Sequence, residues 1–226
     1  MRRSTAVRIT APALFMDPAR NPVQSLVWGA LLATILGISA AFVWSKFNAG
    51  PELPVISQVP EFTLTNQSSE PFTRASLIGH VTIADIVFTR CAGPCPEMTR
   101  KMSGLQRVLS SNPSVRFLTL TTDPGFDRPE VLKHFGSRFD ANFARWSFVT
   151  GPKPEIARVA VGGLKLIAEE KPSNERVSPE DLFIHSTIFV IVDKQGRVRG
   201  SFDRSEPDFE KSVRVAVKKL SKEKGP

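Results

Sequence analysis

Val81-Thr82-Ile83-Ala84-Asp85-Ile86-Val87-Phe88, followed by Thr89-Arg90-Cys91-Ala92-Gly93-Pro94-Cys95-Pro96, is the stretch from which the fold reads out. Its first eight residues are β-branched or apolar at nearly every position, which is the composition of a largely buried strand. Beyond the cysteines, Pro96 suits the first position of a helix, where a missing N–H costs nothing. Met98, Met102, Leu105, Val108 and Leu109 then recur at three- and four-residue steps, predicting a helix with one core-facing stripe in which the methionines pack. Cys91 and Cys95 are the only cysteines among 226 residues. They fall at a strand-to-helix junction with Cys95 as the N-cap residue. Two lone cysteines four apart read as a dithiol that binds a soft metal, cycles to a disulfide, or does both.

Outward from this junction, short strands are expected over 62–65, 115–121, 146–149 and 164–168, with a helical turn over 75–78. Helices are expected over 129–139, opened by Asp127 or Arg128 with Asp127 the favoured cap, and over 154–161, stopped by Gly162-Gly163. A β-branched and aromatic run over 186–192, a turn at 193–196 and a strand over 197–202 form a late hairpin, and a helix over 208–220 closes the chain. Strands alternating with helices before a hairpin and a final helix predict a thioredoxin-like α/β sandwich. The cysteines lie where such folds carry their redox pair.

Ahead of this domain, residues 26–44 hold no charge and span roughly 28 Å as a helix, about the thickness of a bilayer's hydrocarbon core. Trp28 and Trp44 near the ends suit an interfacial belt. The expected organisation is a cytoplasmic tail over 1–24, a transmembrane helix over 25–45, a Pro-containing linker over 46–60 and the domain over 61–226. Arg2, Arg3, Arg8 and Arg20 against Asp17 place the N-terminus in the cytoplasm or matrix and the domain across an inner membrane. That compartment is the periplasm, or the intermembrane space if the source is mitochondrial. A cleaved signal peptide, with Ser39-Ala40-Ala41 at its cleavage site, competes with the anchor but delivers the dithiol to the same place. A structural disulfide is tolerated there, yet one that closes so small a loop gains little chain entropy. The net charge of +8 is diffuse, with Lys218, Lys219, Lys222 and Lys224 near the C-terminus. No basic stripe with interleaved aromatics argues for nucleic acid.

A cysteine acts as its thiolate, which the N–H groups and dipole of a helix N-terminus favour. Two thiolates are too few for a closed tetrahedral zinc site, so further donors must come from elsewhere. Of the three histidines, His80 reads as a surface-turn residue and His134 as an exposed or packing residue of a helix. His185-Ser186-Thr187 enters the strand that passes the dithiol in thioredoxin-like folds, where redox enzymes resemble one another in carrying Thr-Pro-Thr. An imidazole there favours a metal ligand, giving a two-sulfur, one-nitrogen site of Cys91, Cys95 and His185. Asp123, after a strand end on the cysteine edge, reads as a turn or cap residue, or alternatively as a carboxylate behind the site or at a docking surface.

At this point Phe88-Thr89-Arg90-Cys91 to Cys95-Pro96, Thr122-Asp123-Pro124 with Asp127 and Pro129-Glu130, and His185-Ser186 with Asp193 and Gly196 together resemble the SCO/SenC family of copper-binding cytochrome c oxidase assembly proteins. Ile184 departs from the family's acidic residue before the histidine, and Thr122 from its usual valine. The resemblance implies a copper ion held by Cys91, Cys95 and His185. It also implies cytochrome c oxidase subunit II as partner, with other copper chaperones or thiol oxidoreductases besides. Two alternatives stand beside the metallochaperone: a thiol-disulfide oxidoreductase using Cys91 and Cys95, and a redox or copper sensor. A peroxidase would resemble Pro-x-x-x-Thr-x-x-Cys, and residues 84–91 lack the proline.

Overall fold

The computed structural model describes residues 22–48, 52–166, 168–170, 174, 183–185 and 187–226, and divides the chain into two compact units, Met1–Glu52 and Leu53–Pro226. In the first unit, helix α1 (Pro22–Asn48) exposes every side chain described from 22 to 44. Its 23 residues from Pro22 to Trp44 have a mean hydropathy of 2.2, long and apolar enough to cross a membrane. The Thr34 hydroxyl donates to the Ala30 carbonyl at 2.8 Å, which satisfies that polar group within the helix itself.

The second unit is built on a sheet of eight strands in the order β1-β10-β9-β4-β5-β6-β2-β3. These are β1 (Ser57–Gln58), β2 (Thr63–Asn66), β3 (Pro71–Thr73), β4 (Val81–Val87), β5 (Val115–Thr121), β6 (Trp146–Thr150), β9 (Ile188–Val192) and β10 (Arg197–Asp203). A separate antiparallel pair, β7 (Ala168–Glu170) and β8 (Phe183–His185), sets Ala168 opposite His185. Strands β4, β5 and β6 run parallel, and their crossovers contain helices α2 (Pro94–Val108) and α3 (Pro129–Ser137). Helix α4 (Lys153–Ala157) and a π-helical turn (Arg158–Gly163) follow β6, and α5 (Phe209–Lys222) ends the fold. This is the thioredoxin-like α/β sandwich expected from the sequence.

Every residue of β4 is buried, because both faces of the sheet are covered. Val81, Ile83 and Val87 pack with Met98, Met102 and Leu105 of α2, Leu132 and Phe135 of α3, and Val213 and Leu220 of α5. Ala84 and Ile86 face the opposite cluster of Leu64, Leu77, Ile156 and Val159. By the same alternation Asp85 points toward α2. Gly136 lets α3 sit on β6, since a Cβ there would lie 2.8 Å from the Phe148 ring and 2.9 Å from that of Phe143. Gly136→Ala is therefore expected to destabilise the fold by about 1–3 kcal/mol, read as a lower urea midpoint at unchanged slope.

The sequence expectations needed local corrections. Helix α2 begins at Pro94, with Gly93 as N-cap, so Cys95 is the second helical residue and not the cap. Pro94 fits the first position as well as Pro96 does, and the earlier proline starts the helix. No side-chain cap bond is made at α3, whose N-cap is Arg128; Asp127 is occupied elsewhere. The expected strand over 164–168 gives way to β7, because residues 158–163 continue from α4 as a π-helical turn. The compact unit begins at Leu53. Strand β1 pairs with β10, Val59 is fully buried, and a Cβ on Gly163 would lie 2.6 Å from Pro60 Cδ, so half of the expected linker packs as part of the domain. Arg199 fixes this entry point. It donates to the Leu53 carbonyl at 2.6 and 3.0 Å while pairing with Asp193 and Glu223.

Candidate metal and thiol centre

Strand β4 delivers the chain to a loop of six residues and then to α2; Cys91 lies within that loop and Cys95 is the second residue of the helix. Cys91 is 8% exposed and Cys95 fully buried, and they are not joined by a disulfide. The Cys91 N–H donates to the Phe88 carbonyl at 3.2 Å, curling the chain back as it leaves the strand. The Cys91 sulfur lies near enough to Gly93 that a Cβ there would meet it at 3.9 Å. In α2, the Thr99 hydroxyl donates to the Cys95 carbonyl at 2.9 Å.

The Cys95 thiol is pushed well above the usual thiol range. Its hydrogen bond with the Cys91 side chain is the main cause, followed by burial and by the negative charges of Cys91 and Asp85. Proximity to a helix N-terminus was expected to favour the thiolate. In this dry position the paired sulfur and the missing water outweigh it for Cys95. A pair of buried thiols that share a hydrogen bond gives up that proton readily only to something that replaces it, either a metal ion or a second sulfur bond.

Behind the dithiol lies a polar thread that the sequence reading left unnoticed. Asp85 is fully buried and its carboxyl is pushed up to about 7, chiefly by burial. Its Oδ1 accepts from the Thr119 hydroxyl at 2.7 Å, and that hydroxyl in turn accepts from Trp146 Nε1 at 2.9 Å. Oδ2 has no partner. The signal was present in the sequence as one acid inside an apolar strand.

The loop itself is pinned from the next crossover. Asp127 is fully buried and accepts from the Thr89 N–H at 3.1 Å, the Thr89 hydroxyl at 2.5 Å and the Thr121 hydroxyl at 2.5 Å. Its burial is why it cannot reach a helix cap, and the same burial raises its pKa. Arg90 donates through Nε and Nη2 to Asp123 at 3.2 and 2.5 Å and lies 4.4 Å from the centroid of the exposed Phe126 ring. Asp123 therefore sits directly behind the residue preceding Cys91, and the Phe126 N–H donates back to its carbonyl at 3.1 Å.

His185 ends β8; its side chain, and all of Ser186, lie outside the described residues. The neighbouring chain is placed. The Arg204 N–H donates to the Thr187 carbonyl at 3.3 Å, and the Arg204 guanidinium pairs with Glu97 in the first turn of α2. One arginine thus ties the residue two beyond His185 to the residue two beyond Cys95. His80 and His134 take no part, lying before β4 and within α3. Among the described residues no three His, Cys, Asp or Glu side chains cluster as a metal site.

Fold and centre together define a thioredoxin-like protein that carries a buried, reduced dithiol where β4 meets α2. The chain belongs to the SCO1/SenC family, whose model matches residues 54–221. The SCO1 protein homolog of Bacillus subtilis is 35% identical over 155 residues, which cover 68% of this chain and 77% of that one. The solved structure of BsSco, a member of the Sco family of cytochrome c oxidase assembly proteins with an identified disulfide switch, superposes with a TM-score of 0.65 at 30% identity, covering 77% of this chain and all of that one. Yeast Sco1 with copper bound gives a TM-score of 0.60 at 25% identity, covering 72% and 89% of the two chains.

Proposed function

We propose that this chain is a membrane-anchored copper metallochaperone that serves cytochrome c oxidase assembly, with the metal as cargo held by Cys91, Cys95 and His185. The observation that carries the reading is the pair of buried, mutually hydrogen-bonded thiols at the β4–α2 junction of an SCO1/SenC domain. Two soft sulfur donors match Cu(I), and an imidazole as third donor supports an oxidised site as well. Burial favours a metal that enters without its water shell. The two cysteines fit that cargo, since an incoming cation replaces the hydrogen bond the sulfurs share and relieves the desolvation and repulsion that also keep the Cys95 proton in place. The family role extends to the binuclear copper centre of oxidase subunit II. Helix α1 would supply the anchor, with the N-terminus in the cytoplasm and Leu53–Pro226 in a periplasm, or with the N-terminus in a matrix and the domain in an intermembrane space.

Copper content of the full-length protein in nonionic detergent tests the ligand set. Close to one tightly held copper is expected for the wild type, with loss of most of it in Cys91→Ala, Cys95→Ala and His185→Ala. Full retention by His185→Ala would remove the histidine from the site.

A second reading is favoured by the thiols alone: exchange with a partner's cysteines through a mixed disulfide, which needs only Cys91 and Cys95. Dithiol exchange that survives in His185→Ala, in a protein that never retains copper, would establish that reading in place of the first.

A further inference from the structure

The end of β4 away from the cysteines is roughly 20 Å distant along the strand and holds a different site. A cavity of about 180 Å³ opens there, lined by Ser76, His80, Thr82, Arg116, Arg145 and Ser147 among others, and by no acidic side chain. Thr82 is only 1% exposed, yet its hydroxyl has no hydrogen-bond partner. The buried Nδ1 of His80 has none either, while the same ring bonds the Ser114 backbone. A buried polar atom without a partner costs about 1–3 kcal/mol, so two on one cavity wall call for an occupant.

The charge of that wall narrows the occupant. Arg145 spends its guanidinium on the carbonyls of Leu109, Ser110, Asn112 and Val115. Arg116 commits only Nη1, to the Pro113 and Val115 carbonyls at 2.6 and 3.1 Å. Two guanidinium charges and an imidazole thus meet with no carboxylate on the cavity wall to answer them. The volume lies below the range of roughly 300–1,000 Å³ that organic ligands occupy, and equals a few waters at about 30 Å³ each.

We propose that this cavity binds a small tetrahedral oxyanion, phosphate or sulfate, through Arg116, the Thr82 hydroxyl and the His80 ring. The free protein holds His80 toward its neutral form, by burial first and then by the Arg116 charge. A bound anion reverses that balance, so the imidazole takes up a proton and becomes a donor, with Arg116 and Arg145 the charged groups facing it. The same chemistry is offered by a free ion or by the phosphate of a lipid headgroup.

Titration calorimetry on the full-length protein in nonionic detergent, with inorganic phosphate at pH 6.5 and ionic strength fixed by chloride, tests the site. One saturable event is expected. Arg116→Gln should weaken it at least tenfold and Thr82→Val, nearly isosteric, about three- to fivefold, with copper content unchanged in both. Measured with sulfate, which exchanges no proton of its own at this pH, the heat should depend on the buffer's ionisation enthalpy in the direction of proton uptake, and that dependence should vanish in His80→Gln. Short-chain phosphatidylglycerol that competes with phosphate would make the source a lipid headgroup; failure to compete would make it the free ion, and either result upholds the oxyanion site. No saturable heat in the wild type, or equal affinity in wild type and Thr82→Val, would assign the cavity to water alone and overturn the proposal.

Discussion

Asp127→Ala is expected to lower the unfolding free energy by about 3–5 kcal/mol and to cost the protein most of its retained copper. The carboxylate accepts from three donors, and all three are left facing a void when it is removed. A buried donor without an acceptor costs about 1–3 kcal/mol, although a hydroxyl can swing its hydrogen elsewhere. The Thr89 backbone N–H cannot. Its release frees the loop two residues before Cys91, which couples the stability loss to the metal. Asp127→Asn separates the two effects. One amide oxygen can keep both the Thr89 N–H and the Thr121 hydroxyl while the Thr89 hydroxyl turns to accept from the amide N–H, so a loss of about 1 kcal/mol with copper retained is expected. Urea unfolding and copper content measured side by side decide it. Alanine and asparagine variants that lose copper equally would show that Asp127 does not act by holding Thr89.

The second large effect concerns pH. Asp85 is held near 7 in the fold and near 3.8 in the unfolded chain. Between those values the unfolded chain binds fewer protons, so stability falls as pH rises from about 4 to about 7, and the contribution of this group is flat outside that window. The drop is on the order of 4 kcal/mol at most. Asp85→Asn has no charge to bury. It should match the wild type near pH 4, exceed it at pH 8, and flatten the curve between. Removing the Asp85 charge also eases ionisation of Cys95, so thiolate absorbance should rise at lower pH in the variant. Thermal unfolding from pH 4 to 8 reads the first effect. A variant whose melting temperature falls with pH as steeply as the wild type's would mean that another group controls the profile.

Both effects rest on residues the sequence presented unequally. Strand β4 and the stripe of α2, apart from the exposed Val108 at the helix end, were legible because burial on both faces and a 3.6-residue repeat leave direct marks on composition. The position of the dithiol followed from them. Asp127 was read as a cap because a carboxylate just before a helix usually is one, and only the approach of Thr89 across 38 residues shows otherwise. Ser57–Gln58 and Pro71–Thr73 are too short to show any alternation, and Pro94 and Pro96 offered two helix starts that sequence alone could not rank. The Arg204 bridge between Glu97 and Thr187 joins three separate parts of the chain, so no local pattern announces it.

The two outer strands of the sheet are stubs. Strand β1 has two residues and β3 three, the latter opening on Pro71, which offers no N–H. A sheet whose borders are this brief gives another polypeptide almost no backbone to zip onto. Proteins confined to a bilayer meet one another often and in a common orientation, which makes templated aggregation a standing hazard. With helix α1 as the proposed anchor, that hazard is met by geometry at the margins of the sheet.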